Sequence, residues 1–183
     1  MTPKRFPGEN IQFETRRLFA REWGLEDAGN LYLLNSDPKV MEYTGDRPFE
    51  SVREAIQFLE NYMDYQKYGM GRWILSRKED GAFIGWCGLK MHAGEWTDLG
   101  FRLLRAYWGR GYATEAGRAA LDLGFNTFGL PEIIGRAAAA NQASLHVLEK
   151  LQMNFWKREA CEGIPDAVYY RISREEYLNL AVL

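Results

Sequence analysis

Apolar residues follow two spacings along this chain, and the order of these spacings predicts the order of its elements. Alternating or short continuous apolar runs are typical of strands, whereas spacings of three and four residues are typical of amphipathic helices. The predicted strands are 16–21, 73–76, 82–89, 97–104, 132–137, 154–160 and 167–172. The predicted helices are 27–35, 52–65, 112–127 and 142–151, with a short one after Ser173. This order predicts an α+β (mixed α/β) fold, in which a mostly antiparallel mixed sheet of about seven strands is flanked by about four helices.

Polar residues mark where several of these helices begin. Ser51 and Glu54 fit a capping box, and Asn141 is a candidate N-cap for the helix that follows it. The helix over 112–127 carries a stripe of small residues, which lets it pack closely on the sheet and fixes the depth of its first turn. The members of this stripe are Ala113, Ala116, Gly117, Ala120 and Gly124.

Composition narrows the class of protein. The chain has 183 residues, 46% of them hydrophobic and 26% charged, which predicts a single domain over 1–183 with a sizeable core. The formal charge of −2 argues against a nucleic-acid partner. Because neither a run of about 18 apolar residues nor an apolar signal core after Met1 is present, we expect no membrane association and a cytoplasmic location. Cys87 and Cys161 lack metal-ligand spacing, so we expect neither a metal site nor a disulfide.

The most informative segment is 107–116, which reads Tyr-Trp-Gly-Arg-Gly-Tyr-Ala-Thr-Glu-Ala and joins a predicted strand to a predicted helix. Gly109 and Gly111 permit backbone conformations closed to other residues and keep side chains away from an approaching ligand. The first N–H groups of a helix lack intrahelical partners and lie at the positive end of its dipole. The segment therefore predicts an anion site suited to a phosphate, the alternative being a tight turn with a structural role alone.

Several ordered motifs, spread over about residues 12–172, carry a family resemblance. They are Glu14-Thr15-Arg16-Arg17-Leu18, Asp37-Pro38-Lys39-Val40-Met41, the glycine-rich turn, Asn141-Gln142-Ala143-Ser144 and Leu148-Glu149-Lys150-Leu151. With them the chain resembles GNAT-superfamily acyl-CoA-dependent N-acyltransferases, and in particular the branch that acetylates ribosomal-protein N-termini. The resemblance implies a GNAT fold and transfer of an acetyl group from acetyl-CoA to a primary amine. It also implies a monomer or a homodimer.

The same resemblance implies which residues bind the cofactor. The family signature Q/R-x-x-G-x-G/A falls on 108–113, with Trp108 where Gln or Arg is more common. The residues whose backbone N–H groups would hold the CoA pyrophosphate are Gly109, Arg110, Gly111, Tyr112, Ala113 and Thr114. Those that would pair with the pantetheine arm as an added strand are Phe101, Arg102 and Leu103. Asn141 matches the asparagine that contacts the pantetheine.

Two residues are candidates for catalysis through this resemblance. Ser144 matches the serine that this branch places near the sulfur, the alternative being a hydroxyl that bonds back to its own helix. Asp98 lies on the strand from which the superfamily often draws its base, the alternative being a salt bridge. Leu148 stands where many members have a tyrosine that protonates the thiolate, and Gln152-Met153 replaces the usual Gly-Phe turn. His92 has no partner visible in the sequence.

The implied reaction is direct attack of a neutral amine on the thioester. Losing a proton at about pH 7 costs a protein α-amine on the order of 1 kcal/mol and a lysine-like amine roughly 4–5 kcal/mol. Because no strong base is apparent in the sequence, an α-amine or another weakly basic amine is favoured as acceptor. A non-catalytic CoA or acyl-CoA sensor with the same fold is the alternative from another functional class, and a nucleotide-binding structural domain is a third. The identity of the acceptor stays open.

Overall fold

The computed structural model describes residues 11–93 and 95–180. Its strands are β1 Ile11–Glu14, β2 Leu18–Glu22, β3 Arg72–Arg77, β4 Phe83–His92, β5 Trp96–Leu103, β6 Glu132–Ala138, β7 Asn154–Cys161 and β8 Ile164–Ser173. They form one eight-stranded sheet in the order β1-β2-β3-β4-β5-β6-β8-β7. Every neighbouring pair is antiparallel except β5 and β6, which are parallel. The predicted mixed, mostly antiparallel sheet is confirmed, with one strand more than expected.

The α-helices of the described residues are α1 Ala28–Ser36, α2 Pro38–Met41, α3 Val52–Glu60, α4 Asp64–Tyr68, α5 Tyr112–Asp122, α6 Gln142–Lys150 and α7 Arg174–Leu180. The longest of them, α1, α3, α5 and α6, correspond to the four predicted helices. A π-helical turn, Leu123–Thr127, continues α5 to the predicted end. Within the described part of the chain, no helix is both long and apolar enough to cross a membrane.

The strand missing from the prediction is β1, which forms one edge of the sheet. It has four residues and pairs with β2 through a turn in which Thr15 N donates to Leu18 O at 3.0 Å. Ile11 and Phe13 alternate with polar residues over this length only. Periodicity cannot distinguish a strand from a loop over so few residues, and pairing with β2 decides the conformation.

The helix predicted over 52–65 is wrong in length, because α3 has nine residues. Asn61 Nδ2 donates to Gln57 O at 2.7 Å, so a side chain takes a carbonyl of the last turn. Asparagine competes with the backbone in this way and therefore favours helix ends. Ser51 caps the helix as predicted, since its hydroxyl accepts from Glu54 N at 3.3 Å. The Glu54 carboxylate accepts from the amide before Ser51 rather than completing a capping box.

The two faces of the sheet differ in character, as the residues of β5 show. Leu99, Phe101 and Leu103 join the main apolar core on the face covered by α5. Asp98 and Arg102 point to the opposite face, which lies beneath α1 and α2. A single strand thus contributes an apolar side to the core and a polar side to a candidate site.

The stripe of small residues lets α5 lie close to the sheet, as predicted. A Cβ added to Gly124 would lie 2.6 Å from Ile133 Cδ1, and one added to Gly117 would lie 2.8 Å from Leu151 Cδ1. The later alanines of the stripe are fully buried, whereas Ala113 stays partly exposed. Larger side chains would push α5 away from β4 and β5 and displace its first turn.

Helix α6 ends in a Schellman motif whose left-handed residue is not glycine. Gln152 N donates to Glu149 O at 2.9 Å, and Met153 N donates to Leu148 O at 3.2 Å. Gln152 has a φ of +60°, a conformation that favours glycine. The backbone therefore keeps the turn that the family usually makes with Gly-Phe, at the expense of a strained residue.

We expect Gln152→Gly to raise the free energy of unfolding by about 0.5–1 kcal/mol. A left-handed conformation costs a residue with a Cβ roughly 1–2 kcal/mol, and the greater freedom of glycine in the unfolded chain cancels part of the gain. Urea unfolding measures the difference. Gln152→Ala is the matched control, because it removes the side chain but keeps the Cβ. An equal gain from alanine would refute the explanation by strain.

Candidate functional site

Strands β5 and β6 separate into a fork. They pair only over 98–99 of β5 and 134–135 of β6, so β5 has no β6 partner from Gly100 onward. On its other edge β5 stays paired with β4 as far as Leu103. We call the paired end of the fork closed and the other end open. Between them, β5 presents backbone groups that β6 does not pair, and an extended ligand can add there as a strand.

The glycine-rich turn follows the open end of this fork and leads into α5. Gly109 and Gly111 have φ values of +69° and +78°, in the left-handed region that favours glycine. Trp108 Nε1 donates to Leu103 O at 2.8 Å and so ties the turn to the end of β5. Gly111 is the N-cap of α5 and offers its first amides no side-chain acceptor, unlike the N-caps of α3 and α6. These amides can therefore bind an anion at the positive end of the helix dipole.

Arg17, which immediately precedes β2, holds the turn in place together with Glu115 of α5. Glu115, in the first turn of α5, accepts from Thr15 Oγ1 at 2.6 Å, Arg17 N at 2.9 Å and Arg17 Nε at 2.6 Å. Arg17 Nη1 donates to Arg110 O at 3.0 Å, and its guanidinium lies 4.3 Å from the ring centre of Tyr112. The bond to Arg110 O also fixes the orientation of the peptide group that joins Arg110 to Gly111.

The same contacts neutralise a carboxylate beside the anion site. Burial raises the pKa of Glu115, but the hydrogen bonds from Thr15 and Arg17 outweigh burial and hold the pKa below its usual range. Glu115 is therefore ionised, and the guanidinium of Arg17 contacts it at 2.6 Å. The turn thus keeps the positive character that a diphosphate requires.

A cavity of about 650 Å³ adjoins the turn along the outer side of α5. Its lining includes Thr15, Arg17, Gly111, Thr114, Glu115, Arg118, Asp122 and Lys150. Cavities of roughly 300–1,000 Å³ are typical of small-molecule sites. Arg118 and Lys150 are basic side chains in this lining besides the paired Arg17, which suits the phosphorylated end of a nucleotide-bearing ligand.

Asn141 and Ser144 lie at the beginning of α6, which follows the other arm of the fork. Asn141 is the N-cap, as predicted, and its Oδ1 accepts from Ser144 N at 3.1 Å. Within the described residues the Ser144 hydroxyl has no hydrogen-bond partner, so the alternative of a bond back to its own helix is not observed. Leu148 is buried, and a Cβ on Gly135 would lie 2.5 Å from its Cδ2. Core packing thus occupies the position of the family tyrosine.

Asp98 is a buried carboxylate at the closed end of the fork. Its Oδ2 accepts from Arg72 Nη2 at 2.8 Å, and its Oδ1 lies 2.6 Å from His92 Nε2. Burial raises the pKa of Asp98, but the charge of Arg72 and the bond to His92 outweigh burial and hold the pKa well below its usual range. An ionised carboxylate only accepts, so His92 Nε2 carries the hydrogen of this bond. In the neutral ring, Nδ1 is then the nitrogen that can accept a proton. The His92 ring stacks on Trp96 with 4.0 Å between ring centres.

Arg102 fastens the loop after α2 to the same face of the sheet. Its Nη1 donates to Asn35 Oδ1 at 2.8 Å, and its Nη2 donates to Asp46 Oδ2 at 2.5 Å. The guanidinium carbons of Arg72 and Arg102 lie 5.3 and 5.4 Å from the ring centre of Trp86. Arg102, predicted for its backbone alone, thus also helps to shape the site through its side chain.

The predicted site residues surround this one fork. The turn over 108–114 follows its open end, and the backbone of 101–103 forms one arm. Asn141 and Ser144 stand at the end of the other arm, and Asp98 lies at the closed end. The salt bridge predicted as the alternative for Asp98 is present, with Arg72. The role of Asp98 as a base stays a prediction.

Two contacts were not foreseen from the sequence. His92 lies opposite Trp96 across the β4–β5 hairpin, and a correct register would have placed it on the face of Asp98. Arg17 and Glu115 both belong to motifs that carry the resemblance, but they are 98 residues apart. Neither motif contains a signal for this pairing.

Comparison with known proteins agrees with this geometry. A family model described as an acetyltransferase (GNAT) domain matches residues 17–154. The chain is similar to the Bacillus subtilis protein YkkB, with 35% identity over 77% of this chain and 83% of that protein. It is also similar to FsC-acetyl coenzyme A-N(2)-transacetylase of Aspergillus fumigatus, with 33% identity over 80% of this chain and 69% of that protein.

Solved structures show the same fold. The spermidine N-acetyltransferase of Vibrio cholerae, solved with CoA and spermine, has a TM-score of 0.76 at 20% identity, over 90% of this chain and 100% of that chain. The predictions of a GNAT fold and of an acetyltransferase enzyme are therefore confirmed. By its sequence and by its fold, the chain belongs to the GNAT family of acetyltransferases.

Proposed function

We propose that this protein transfers the acetyl group of acetyl-CoA to a primary amine by direct attack of the amine on the thioester. The observation that carries the proposal is that the uncapped beginning of α5 and the unpaired edge of β5 belong to one fork. Residues 1–183 would act as one catalytic domain in the cytoplasm. The free thiols of Cys87 and Cys161 suit such a reducing compartment.

The chain's own residues fit CoA. The amides of 109–114 are suited to its diphosphate, because Gly111 brings no side chain over them. The pantetheine arm can add to the unpaired edge of β5 and reach Asn141 across the fork. Arg118 and Lys150 line the adjoining cavity, where the remaining phosphate would find cations. These placements direct the thioester toward the closed end.

Two protons must move as the acetyl group is transferred. The amine nitrogen bonds to the carbonyl carbon, and the carbon–sulfur bond breaks with its electron pair on sulfur. We assign the proton of the amine to Nδ1 of His92, directly or through water, with Asp98 holding the ring in the required tautomer. We assign protonation of the thiolate to the Ser144 hydroxyl or a water beside it. Backbone N–H groups of β5 at the fork would stabilise the developing oxyanion.

Release of the CoA thiol in the presence of a panel of primary amines tests the proposal. We expect thiol release to require an amine and to match the amount of acetylated product. Binding of CoA with no thiol release for any amine would instead indicate a non-catalytic sensor. A protein that does not respond to millimolar CoA in a thermal-shift titration would overturn the assignment of the cofactor.

Ser144→Ala is expected to lower kcat about tenfold while leaving the affinity for CoA within about twofold. A thiol with a pKa near 8.5 is a good leaving group, so its acid contributes less than the usual factor of about 10²–10⁴. Steady-state thiol release and CoA titration measure the two effects. The control is Ser36→Ala, because Ser36 is an exposed serine that bonds to its own helix. An unchanged kcat would leave Ser144 with a structural role only.

A further inference from the structure

Arg136 lies on β6, one residue beyond the last pairing with β5. Its guanidinium carbon lies 5.4 Å from the ring centre of Trp96, so the side chain crosses the face of the sheet that carries Asp98 and His92. On β8, Tyr169 lies directly opposite Arg136 in the register of the sheet. Arg136 is half-buried, which places a partly dehydrated cation beside the closed end of the fork.

The neighbouring arginines on this face are neutralised by carboxylates, and Arg136 is not. Arg72 pairs with Asp98 at 2.8 Å, and Arg102 pairs with Asp46 at 2.5 Å. Across residues 11–93 and 95–180, no carboxylate comes within ion-pair distance of Arg136, whose close contact is the Trp96 ring. Burial lowers the pKa of Arg136, but the charge of Asp98 and a neighbouring phenol outweigh burial and raise it. The guanidinium is therefore charged and lacks a direct counter-ion.

A half-buried guanidinium without a direct counter-ion is a suitable partner for an anionic group of a ligand. A guanidinium presents its N–H donors in a planar fork that matches a carboxylate with two parallel hydrogen bonds. We propose that Arg136 binds a carboxylate of the acceptor, so that the acceptor is an amine that also carries a carboxylate. This inference rests on the proposed acetyl transfer and adds the class of acceptor to it.

The same charges disfavour a polycationic acceptor. Asp98 and Asp46, two carboxylates on this face, are already engaged by arginines. A second ammonium group on the acceptor would therefore meet Arg136 without a counter-charge of its own. The amine end, by contrast, would lie toward His92, where a proton acceptor is available.

Matched acceptors that differ in one group test the inference. The panel pairs an α-amino acid with its amide and a dipeptide with its C-terminal amide, and it includes spermidine as the polycation. Rates are referred to the concentration of neutral amine, because the paired compounds differ in amine pKa. With saturating acetyl-CoA, kcat/KM for the carboxylate form should exceed that for the amide at least about tenfold, as a charge-assisted bidentate pair requires. Spermidine should be the poorest acceptor.

Variants at position 136 assign that preference to the side chain. Arg136→Gln should abolish the preference for the carboxylate form over the amide. It should leave kcat/KM for the amide and the thermal shift with CoA nearly unchanged. The thermal shift also shows that the variant folds. Arg136→Lys should keep part of the preference for the carboxylate form, because lysine retains the charge but not the planar fork. Arg171→Gln is the matched control, because Arg171 lies on β8, which is not an arm of the fork, and pairs with Glu132 at 3.6 Å. It should keep the full preference.

The outcomes separate this inference from the proposed function. Equal turnover of acid and amide, a preference that survives Arg136→Gln, or spermidine as the best acceptor overturns the carboxylate assignment and leaves acetyl transfer standing. Absence of acetylation with every acceptor overturns acetyl transfer, and this inference with it.

Discussion

Replacing Gly111 with tryptophan should eliminate the rise in melting temperature that CoA produces. Gly111 is the N-cap of α5 with a φ of +78°, and a Cβ there would already lie 3.5 Å from Arg17 Nη2. An indole at this point would stand beside the amides proposed to hold the diphosphate. For the native chain, CoA at about 100 times its dissociation constant should add roughly 2.7 kcal/mol of stability. We expect the variant to show none of this gain in a thermal-shift titration.

A matched control separates loss of the ligand site from strain in the backbone. Gly129 has a φ of +64°, and a Cβ added to it would meet nothing within 4 Å. Gly129→Trp should therefore impose the same strain of roughly 1–2 kcal/mol without approaching the turn. It should lower the melting temperature of the unliganded protein and keep the full response to CoA. Full CoA affinity in Gly111→Trp would contradict the assignment of the diphosphate site.

Asp98→Asn is expected to cost about 3–5 kcal/mol of stability, because it leaves Arg72 charged and buried without its counter-ion. The side chains of Asp98 and Arg72 are only 6% and 11% exposed. The change also leaves one acceptor oxygen for two donors, Arg72 and His92, so the tautomer of His92 is no longer fixed and kcat should fall at least about a hundredfold. Urea unfolding and thiol release measure the two losses.

The pH dependence of this stabilisation follows from the depressed pKa of Asp98. The folded pKa lies below the unfolded value of about 3.9, so the contribution is complete above that value and is lost as the pH falls toward the folded pKa. The difference in unfolding free energy between the native chain and Asp98→Asn should be constant above about pH 5 and should shrink in acid. A difference that instead shrinks as the pH rises from about 6 to 8 would contradict the assignment.

Asp46→Asn is the control for the pair at Asp98. Asp46 also pairs with an arginine on this face, but its side chain is 62% exposed. Because exposed ion pairs contribute about 0–1 kcal/mol, this variant should unfold close to the native chain. A comparable loss in both variants would show that burial is not what makes the Asp98 pair important.

Local patterns carried the prediction of most elements. Strand β4 shows a continuous apolar run after a turn signal at Asp80-Gly81, and α5 shows its stripe of small residues directly after Gly111. Such signals are short in range, because they reflect the conformational preferences of neighbouring residues. They were weakest where an element is short, as at β1, and where a side chain ends a helix early, as at Asn61.

The candidate site was predictable in part for the same reason. The turn over 108–114 and the cap at Asn141 are contiguous in the chain, so residue type and order indicate their chemistry. The partners that tune the site come from elsewhere. Thr15 and Arg17 reach Glu115 from the turn between β1 and β2, and Arg72 reaches Asp98 from β3. Sequence separation hides these contacts, since no local pattern records which strands become neighbours.

By itself, the sequence determined the kinds of elements, their order, the anion-binding turn and the resemblance that led to the family. The tertiary structure alone decided the register that sets His92 beside Asp98, the pairing of Arg17 with Glu115, and the isolation of Arg136 from carboxylates. The physical reason is one of range. Backbone preferences act between neighbouring residues, whereas charge, burial and hydrogen bonding act between whichever side chains the folded sheet brings together.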